Sequence, residues 1–261
     1  MAYQALYRKY RPKRFQDVIG QEHITTILKN QLVEGHVAHA YLFTGTRGTG
    51  KTSTAKIFAK ALNCEHLENG EPCGTCASCR IAEAGGVDII ELDAASNTGV
   101  EDMRALIDKA RFAPLDLKVK VYIIDEAHML SKSAFNALLK TLEEPPAHVV
   151  FILATTEPQS IPATIVSRCQ RFDFHRLRVN DIVSCMEGVL ASAGASVAPG
   201  GMRAIARAAE GGMRGAPSLA DQCISFCGGN VSAEDVYGVL GSMESDFLFS
   251  VADALLSDDR D

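Results

Sequence analysis

One octapeptide constrains this chain more than any other feature. Gly45-Thr46-Arg47-Gly48-Thr49-Gly50-Lys51-Thr52 follows the apolar run AYLF and opens the amphipathic stretch STAKIFAKAL. The pattern G-x-x-x-x-G-K-T between a strand-like run and a helix-like one lets successive backbone N–H groups curl around phosphate oxygens. The glycines permit the curl, and the helix N-terminus adds positive potential. Lys51 then reaches the β and γ phosphates, and Thr52 offers its hydroxyl to Mg²⁺. Gly45 to Ser53 form the candidate nucleotide cradle.

A second element suits the same chemistry. Val121-Tyr122-Ile123-Ile124-Asp125-Glu126-Ala127-His128 is an apolar strand delivering two adjacent carboxylates at its C-terminal end, the edge at which such sheets bind ligands. Phosphoryl transfer needs charge neutralisation and a positioned water, so two roles call for two carboxylates. Asp125 is expected to hold Mg²⁺ through water, and Glu126 to orient and polarise the attacking water.

The surroundings predict an α/β fold. Short β-branched runs at 41–43, 89–92, 119–124, 149–154 and 171–174 alternate with helical periodicity at 51–62, 100–112 and 133–142, the signature of a parallel sheet. Pro145-Pro146 stops the last of these helices. After His175 the strand signals vanish, and 179–240 reads as helices punctuated by glycine pairs. From Met243 a further amphipathic stretch, FLFSVADALL, begins without a partner for its apolar face, and the expectation is a fragment ending just inside a third domain.

Composition narrows the class. In 261 residues with 47% hydrophobic content there is enough apolar material for one large or two smaller cores. A net charge of −6 argues against charge-dominated coating of DNA and leaves only local patches for such contact. Neither a secretion signal nor a membrane span is read from the sequence. Of eight cysteines, four cluster as Cys64-x8-Cys73-x2-Cys76-x2-Cys79 and four are scattered. That distribution suits a metal site in a reducing cytosol better than a disulfide framework. Four soft thiolates with no open position suit structural Zn²⁺, although an iron–sulfur cluster satisfies the same ligand count. His66 is expected to face solvent, and the pair Cys223 and Cys227 to be core.

Several segments together resemble a known family. YRKYRP (7–12), VIGQEH (18–23), HAYLFTGTRGTGKTS (39–53), the clustered cysteines, IDEAHML (124–130), NALLKTLEEPP (136–146) and SRCQRF (167–172) are similar to the gamma/tau ATPase subunits of bacterial DNA polymerase III clamp loaders, over nearly the whole chain. DEAH alone would also fit a helicase, but helicases carry a second RecA-like domain that this chain does not provide.

The resemblance implies an AAA+ P-loop NTPase with a parallel five-stranded sheet and an inserted four-cysteine zinc module, followed by a small all-α lid of three helices. The expected boundaries are 1–177 for the nucleotide-binding domain with the zinc module at about 64–79, 178–242 for the lid, and 243–261 for the start of a truncated collar. It implies ATP, Mg²⁺ and structural Zn²⁺ as ligands. Arg168 is the expected arginine finger, catalytic in trans on a neighbour's ATP. Thr156 is the expected first sensor with Thr155 its rival, and Arg214 the second sensor. Gly215 and Pro217 depart from the family pattern after Arg214, and Pro217 is expected to cost a helical N–H or delay the helix. Arg11, Pro12, Val18 and Ile19 are candidates for the nucleotide surround.

The segment 93–102 ends a strand and starts a helix. Its backbone amides and Arg104, with Asn97 and Gly99 where the family often has basic residues, are a candidate DNA contact; an N-capped helix without DNA is the alternative. The implied function is an ATP-hydrolysing motor that opens a sliding clamp and places it on primer-template DNA. Implied partners are other clamp-loader subunits, the clamp and a polymerase subunit, in a hetero-oligomeric ring of the full-length form in a bacterial, nucleoid-associated cytoplasm. A non-hydrolysing structural subunit and a generic AAA+ DNA remodeller remain as alternatives.

Overall fold

The computed structural model describes residues 11–96 and 99–241. Asn97, the first part of YRKYRP and the expected collar segment 243–261 lie outside the described residues. The chain divides into two compact units, Arg11–Arg176 and the stretch from Leu177 onward.

The first unit is built on a parallel sheet of five strands: β1 (Ala40–Thr44), β2 (Ile89–Asp93), β3 (Lys120–Asp125), β4 (Val149–Thr155) and β5 (Gln170–Asp173). Their order in space is β2-β3-β4-β1-β5, and every neighbouring pair is parallel. All seven residues of β4 and all five of β1 are buried, as strands covered on both faces require. Alternation then divides the side chains between two cores. Leu42, Tyr122, Ile124, Phe151 and Leu153 point to one, with α4 (Val100–Ala110) and α5 (Lys132–Glu143). Tyr41, Phe43, Val121, Ile123 and Ile152 point to the other, with α1 (Glu22–Glu34) and α2 (Lys51–Asn63).

Helix α1 is not expected from the sequence. Only Ile24, Thr25 and Leu28 of its thirteen residues are buried, so its apolar stripe is faint. Ser131 caps α5, its hydroxyl accepting the N–H of Ala134 at 3.2 Å. α3 (Ala77–Ala84) follows the cysteine cluster, and the four-residue α6 (Ala163–Val166) precedes β5.

The second unit corrects two expectations. Among the described residues it has four helices rather than three: α7 (Val179–Ala193), α8 (Pro199–Ala208), α9 (Gly215–Cys227) and α10 (Ala233–Leu240). It also contains β6 (Ser196–Val197) and β7 (Asn230–Val231), a parallel pair too short for any periodicity to announce. Gly201 lets α8 approach α10, since a Cβ there would lie 2.8 Å from a Val236 methyl. Cys223 is buried in this core and Cys227 packs against it, as expected. Pro217 neither delays a helix nor breaks one. α9 begins at Gly215, which places the proline third in the first turn, where its N–H would have no helical partner.

Candidate functional site

Because β1 lies between β4 and β5, with β3 beside β4, the C-terminal ends of β1, β3 and β4 converge on one edge. β1 runs into the loop 45–50, and α2 starts at Lys51. The loop needs its glycines: Gly45, Gly48 and Gly50 have φ of 142°, 83° and 101°. At Gly45 a Cβ would also stand 2.5 Å from the Phe174 carbonyl oxygen.

Lys51 is only 6% exposed, and its Nζ donates to the carbonyls of Gly45 (2.7 Å) and Thr46 (2.9 Å). Burial lowers its pKa, opposed by the charges of Glu126 and Asp125. Thr49 is buried with its hydroxyl on the Thr46 carbonyl, while the Thr46 hydroxyl is buried without a protein partner. A buried orphan hydroxyl and a desolvated ammonium satisfied only by loop carbonyls fit a site that takes a polyanion. Arg47 is exposed and Ser53 half-buried.

The acidic half of the site is a continuous polar chain. Thr52 Oγ1 donates to Asp125 Oδ2 at 2.7 Å, and Asp125 Oδ1 accepts the N–H of Glu126 at 3.0 Å. Glu126 then adopts φ 47°, ψ 45°, a left-handed conformation that costs a non-glycine residue about 1–3 kcal/mol. This turn at the strand end brings the Glu126 carboxylate to the Thr156 hydroxyl, which donates to Oε2 at 3.1 Å. Thr155 is fully buried, and its Oγ1 lies 3.0 Å from His128 Nδ1 while accepting the Glu157 N–H at 3.0 Å. His128 also approaches Glu126 Oε2 at 3.6 Å and Glu157 Oε1 at 3.9 Å. The sequence motifs assign His128 no role. Its place three residues after Asp125 was the available signal, since a tight turn there returns the ring to the same edge.

Val18 is buried, with a methyl 3.7 Å from where a Gly50 Cβ would stand; Ile19 and Pro12 are half-buried and Arg11 is exposed. Arg168 follows α6, and its guanidinium bonds the Thr164 carbonyl at 2.8 Å and the Glu143 carboxylate at 2.5 Å, none of them residues of the phosphate loop. Arg214 belongs to the second unit, where it immediately precedes α9. Gly99 caps α4 with no side-chain hydrogen bond, and Arg104 pairs with Glu101 on the same helix at 2.8 Å.

The cysteine cluster is assembled by turns at both ends of a short excursion. Cys64 caps the C-terminus of α2 and Cys76 the N-terminus of α3, and Gly74, at φ 75°, turns the chain between Cys73 and Cys76. The four sulfurs lie within 4.8 Å of one another, and those of Cys73 and Cys79 are 3.9 Å apart. A tetrahedron of sulfurs at zinc–thiolate bond length has edges of about 3.8 Å, so the set fits that ion. Backbone N–H groups of Cys73, Cys76 and Cys79 point at the sulfurs of Cys64, Cys73 and Cys76, each at 3.4 Å. The N–H groups of Thr75 and Cys76 pull the Cys73 thiol down to about 6, whereas burial pushes Cys64 up. His66 is exposed, as expected. No described helix is long and apolar enough to cross a membrane.

Comparisons with known proteins identify relatives of this chain. A family model described as DNA polymerase III, delta subunit, matches residues 20–178, and one for the ATPase lid domain of the DNA polymerase III clamp loader subunit matches 181–229. DNA polymerase III subunit tau of Bacillus subtilis is 56% identical over 98% of the chain and 46% of its own length; that of Escherichia coli is 51% identical over 98% and 40%. DNA polymerase III subunit gamma of Buchnera aphidicola from Baizongia pistaciae is 43% identical over 99% of the chain and 70% of its own length. The chain thus spans less than half the length of the two tau relatives. The Thermotoga maritima RuvB Holliday junction branch migration motor superposes with a TM-score of 0.64 at 20% identity, covering 89% of this chain and 72% of its own, a likeness of fold alone.

Proposed function

Because this chain belongs to the gamma/tau family of DNA polymerase III clamp-loader subunits, we propose that it is the ATP-hydrolysing motor of a bacterial replicative clamp loader. The observation that carries the reading is the chain of polar contacts Thr52–Asp125–Glu126–Thr156 beside the buried Lys51. In this reading the loop amides of 45–50 and Lys51 hold the β and γ phosphates of ATP. Mg²⁺, held by Thr52 with Asp125, supplies charge neutralisation when bound. Glu126 orients and polarises the attacking water, and Thr156 holds that carboxylate and senses the γ-phosphate. Val18 and Ile19, with Arg11, border the nucleotide.

Arg168 is the finger presented to a neighbouring subunit's ATP, and Arg214 contributes as second sensor. Zn²⁺ on Cys64, Cys73, Cys76 and Cys79 is structural, since four thiolates leave no open position. The domain reading is a nucleotide-binding domain over 1–177, a lid over 178–242 and a collar beginning at 243. ATP binding closes neighbouring subunits so that the ring opens the sliding clamp and grips primer-template DNA, and hydrolysis releases both.

The test is ATP hydrolysis by the full-length protein reconstituted with candidate clamp-loader partners, with and without clamp and primed DNA. Stimulation by clamp and DNA that disappears in Lys51→Ala and Arg168→Ala supports the reading. Turnover indifferent to clamp and DNA points to a generic remodeller, and nucleotide binding without turnover points to a structural subunit.

A further inference from the structure

The cysteine module and the phosphate loop are joined by a short mechanical linkage. Between the first and second thiolates, the chain makes a tight hairpin: Glu68 and Glu71 exchange backbone hydrogen bonds at 3.1 and 2.9 Å around Asn69 and Gly70, both at positive φ. This hairpin has little room to shift. A Cβ on Gly70 would stand 2.7 Å from Lys29 Cβ and 2.8 Å from its carbonyl oxygen, so the backbone lies directly on α1.

From the hairpin, the Glu71 carboxylate reaches back 56 residues and accepts the Phe15 N–H with Oε2 at 2.8 Å and the Gln16 N–H with Oε1 at 3.0 Å. Phe15 is 1% exposed, and three residues later a Val18 methyl faces Gly50, 3.7 Å from where a Cβ on that glycine would stand. A second tie runs the same way, from Lys13 Nζ to Glu83 of α3 at 2.7 Å, but both side chains are well exposed and this tie is weak.

We infer that Glu71 is a positioning residue for nucleotide binding, holding the segment 15–18 against the phosphate loop, and that metal on the four cysteines sets where Glu71 stands. Eight residues separate Cys64 from Cys73, and a metal ion that joins these two sulfurs clamps both ends of the excursion carrying the hairpin. Two charge-assisted hydrogen bonds from one carboxylate then transmit that position to the backbone of Phe15 and Gln16. The inference rests on the nucleotide reading of the phosphate loop.

The test uses the full-length protein. Glu71→Gln keeps one acceptor oxygen where two are needed, and Glu71→Ala keeps none. Each variant is measured for zinc content, for affinity toward a fluorescent ATP analogue, for KM and kcat of ATP hydrolysis, and for hydrogen exchange at Phe15 and Gln16. Wild-type protein stripped of metal is measured alongside.

The expected result is unchanged zinc content, with affinity about three- to tenfold weaker in Glu71→Gln and weaker still in Glu71→Ala. KM rises while kcat holds, and exchange accelerates at Phe15 and Gln16. Metal-stripped protein shows the same exchange signature. A variant that was merely unstable would instead lose active protein, lowering kcat with KM unchanged, and that outcome overturns the inference. So does nucleotide affinity that is unaltered in both variants. A wild-type protein that binds no adenine nucleotide removes the nucleotide reading itself, which separates the two failures.

Discussion

Thr156 donates its hydroxyl to Glu126 at 3.1 Å, while the adjacent Thr155 is buried against His128. Neighbouring threonines at a strand end thus belong to different layers of the edge, because successive side chains leave the chain in opposite directions. Substitution should separate them. Thr156→Val is expected to slow ATP hydrolysis about tenfold with binding intact, the equivalent of one hydrogen bond lost in the transition state. Thr155→Val should instead destabilise by about 1–3 kcal/mol, because the fully buried Thr155 hydroxyl ties both the half-buried His128 ring and the Glu157 N–H. Single-turnover hydrolysis and thermal melting of both variants check the assignment; reversed phenotypes would make Thr155 the sensor.

Glu126→Gln preserves shape and one acceptor but removes the charge that polarises water. Hydrolysis is expected to fall at least about 100-fold. ATP affinity stays equal or rises, and Lys51, with one fewer carboxylate charge beside it, becomes easier to deprotonate. Equilibrium binding beside steady-state turnover decides; weakened binding would mean that Glu126 contacts the nucleotide in its ground state.

Asp88 supplies an acid-sensitive anchor. Its buried carboxylate accepts backbone N–H groups from Leu115, Asp116 and Leu117 at 2.8–3.1 Å. Burial alone would raise its pKa, but those N–H groups and the Lys120 charge outweigh it, and the net shift is downward. A depressed carboxylate contributes stability that is full above the ordinary Asp range and lost as pH falls through the folded value. Asp88→Asn is therefore expected to cost about 2 kcal/mol at neutral pH. The difference from wild type should shrink on acidification below the usual Asp pKa. Urea melts across that range test it, and a pH-independent difference would assign the cost to packing.

The thiolate cluster predicts close to one zinc ion per chain, measurable by atomic absorption. Cys76→Ser and Cys79→Ser should lose it, and zinc affinity in the wild type should fall with acidification as protons compete for sulfur. Iron with visible charge-transfer absorption would instead identify an iron–sulfur cluster.

Arg168 offers a contrast between the single chain and the assembly. Within one chain, Arg168→Ala removes a part-exposed pair with Glu143 and should change stability by about 0–1 kcal/mol. In the reconstituted full-length assembly it should lower stimulated hydrolysis about 10³-fold or more, as for an arginine finger in trans. Equal effects in both settings would make it a structural residue.

Much of this protein was determined by local sequence. The phosphate loop is legible because a glycine-rich curl, a following helix and Lys51 are contiguous. Strands β1, β3 and β4 are legible because burial on both faces demands apolar runs. The cysteine spacing announced a soft-ligand site for the same reason: its turns are local. Tertiary structure alone decided the rest. Helix α1 forms although only Ile24, Thr25 and Leu28 are buried, because the sheet offers them a surface. β6 and β7 are two residues each and exist only through pairing with one another. Which threonine meets Glu126 depends on a left-handed turn at that residue, whose strain the surrounding contacts hold in place. The reach of Glu71 to Phe15 and Gln16 spans 56 and 55 positions. No periodicity carries such information, because a contact between distant residues is fixed by the fold that closes the loop between them.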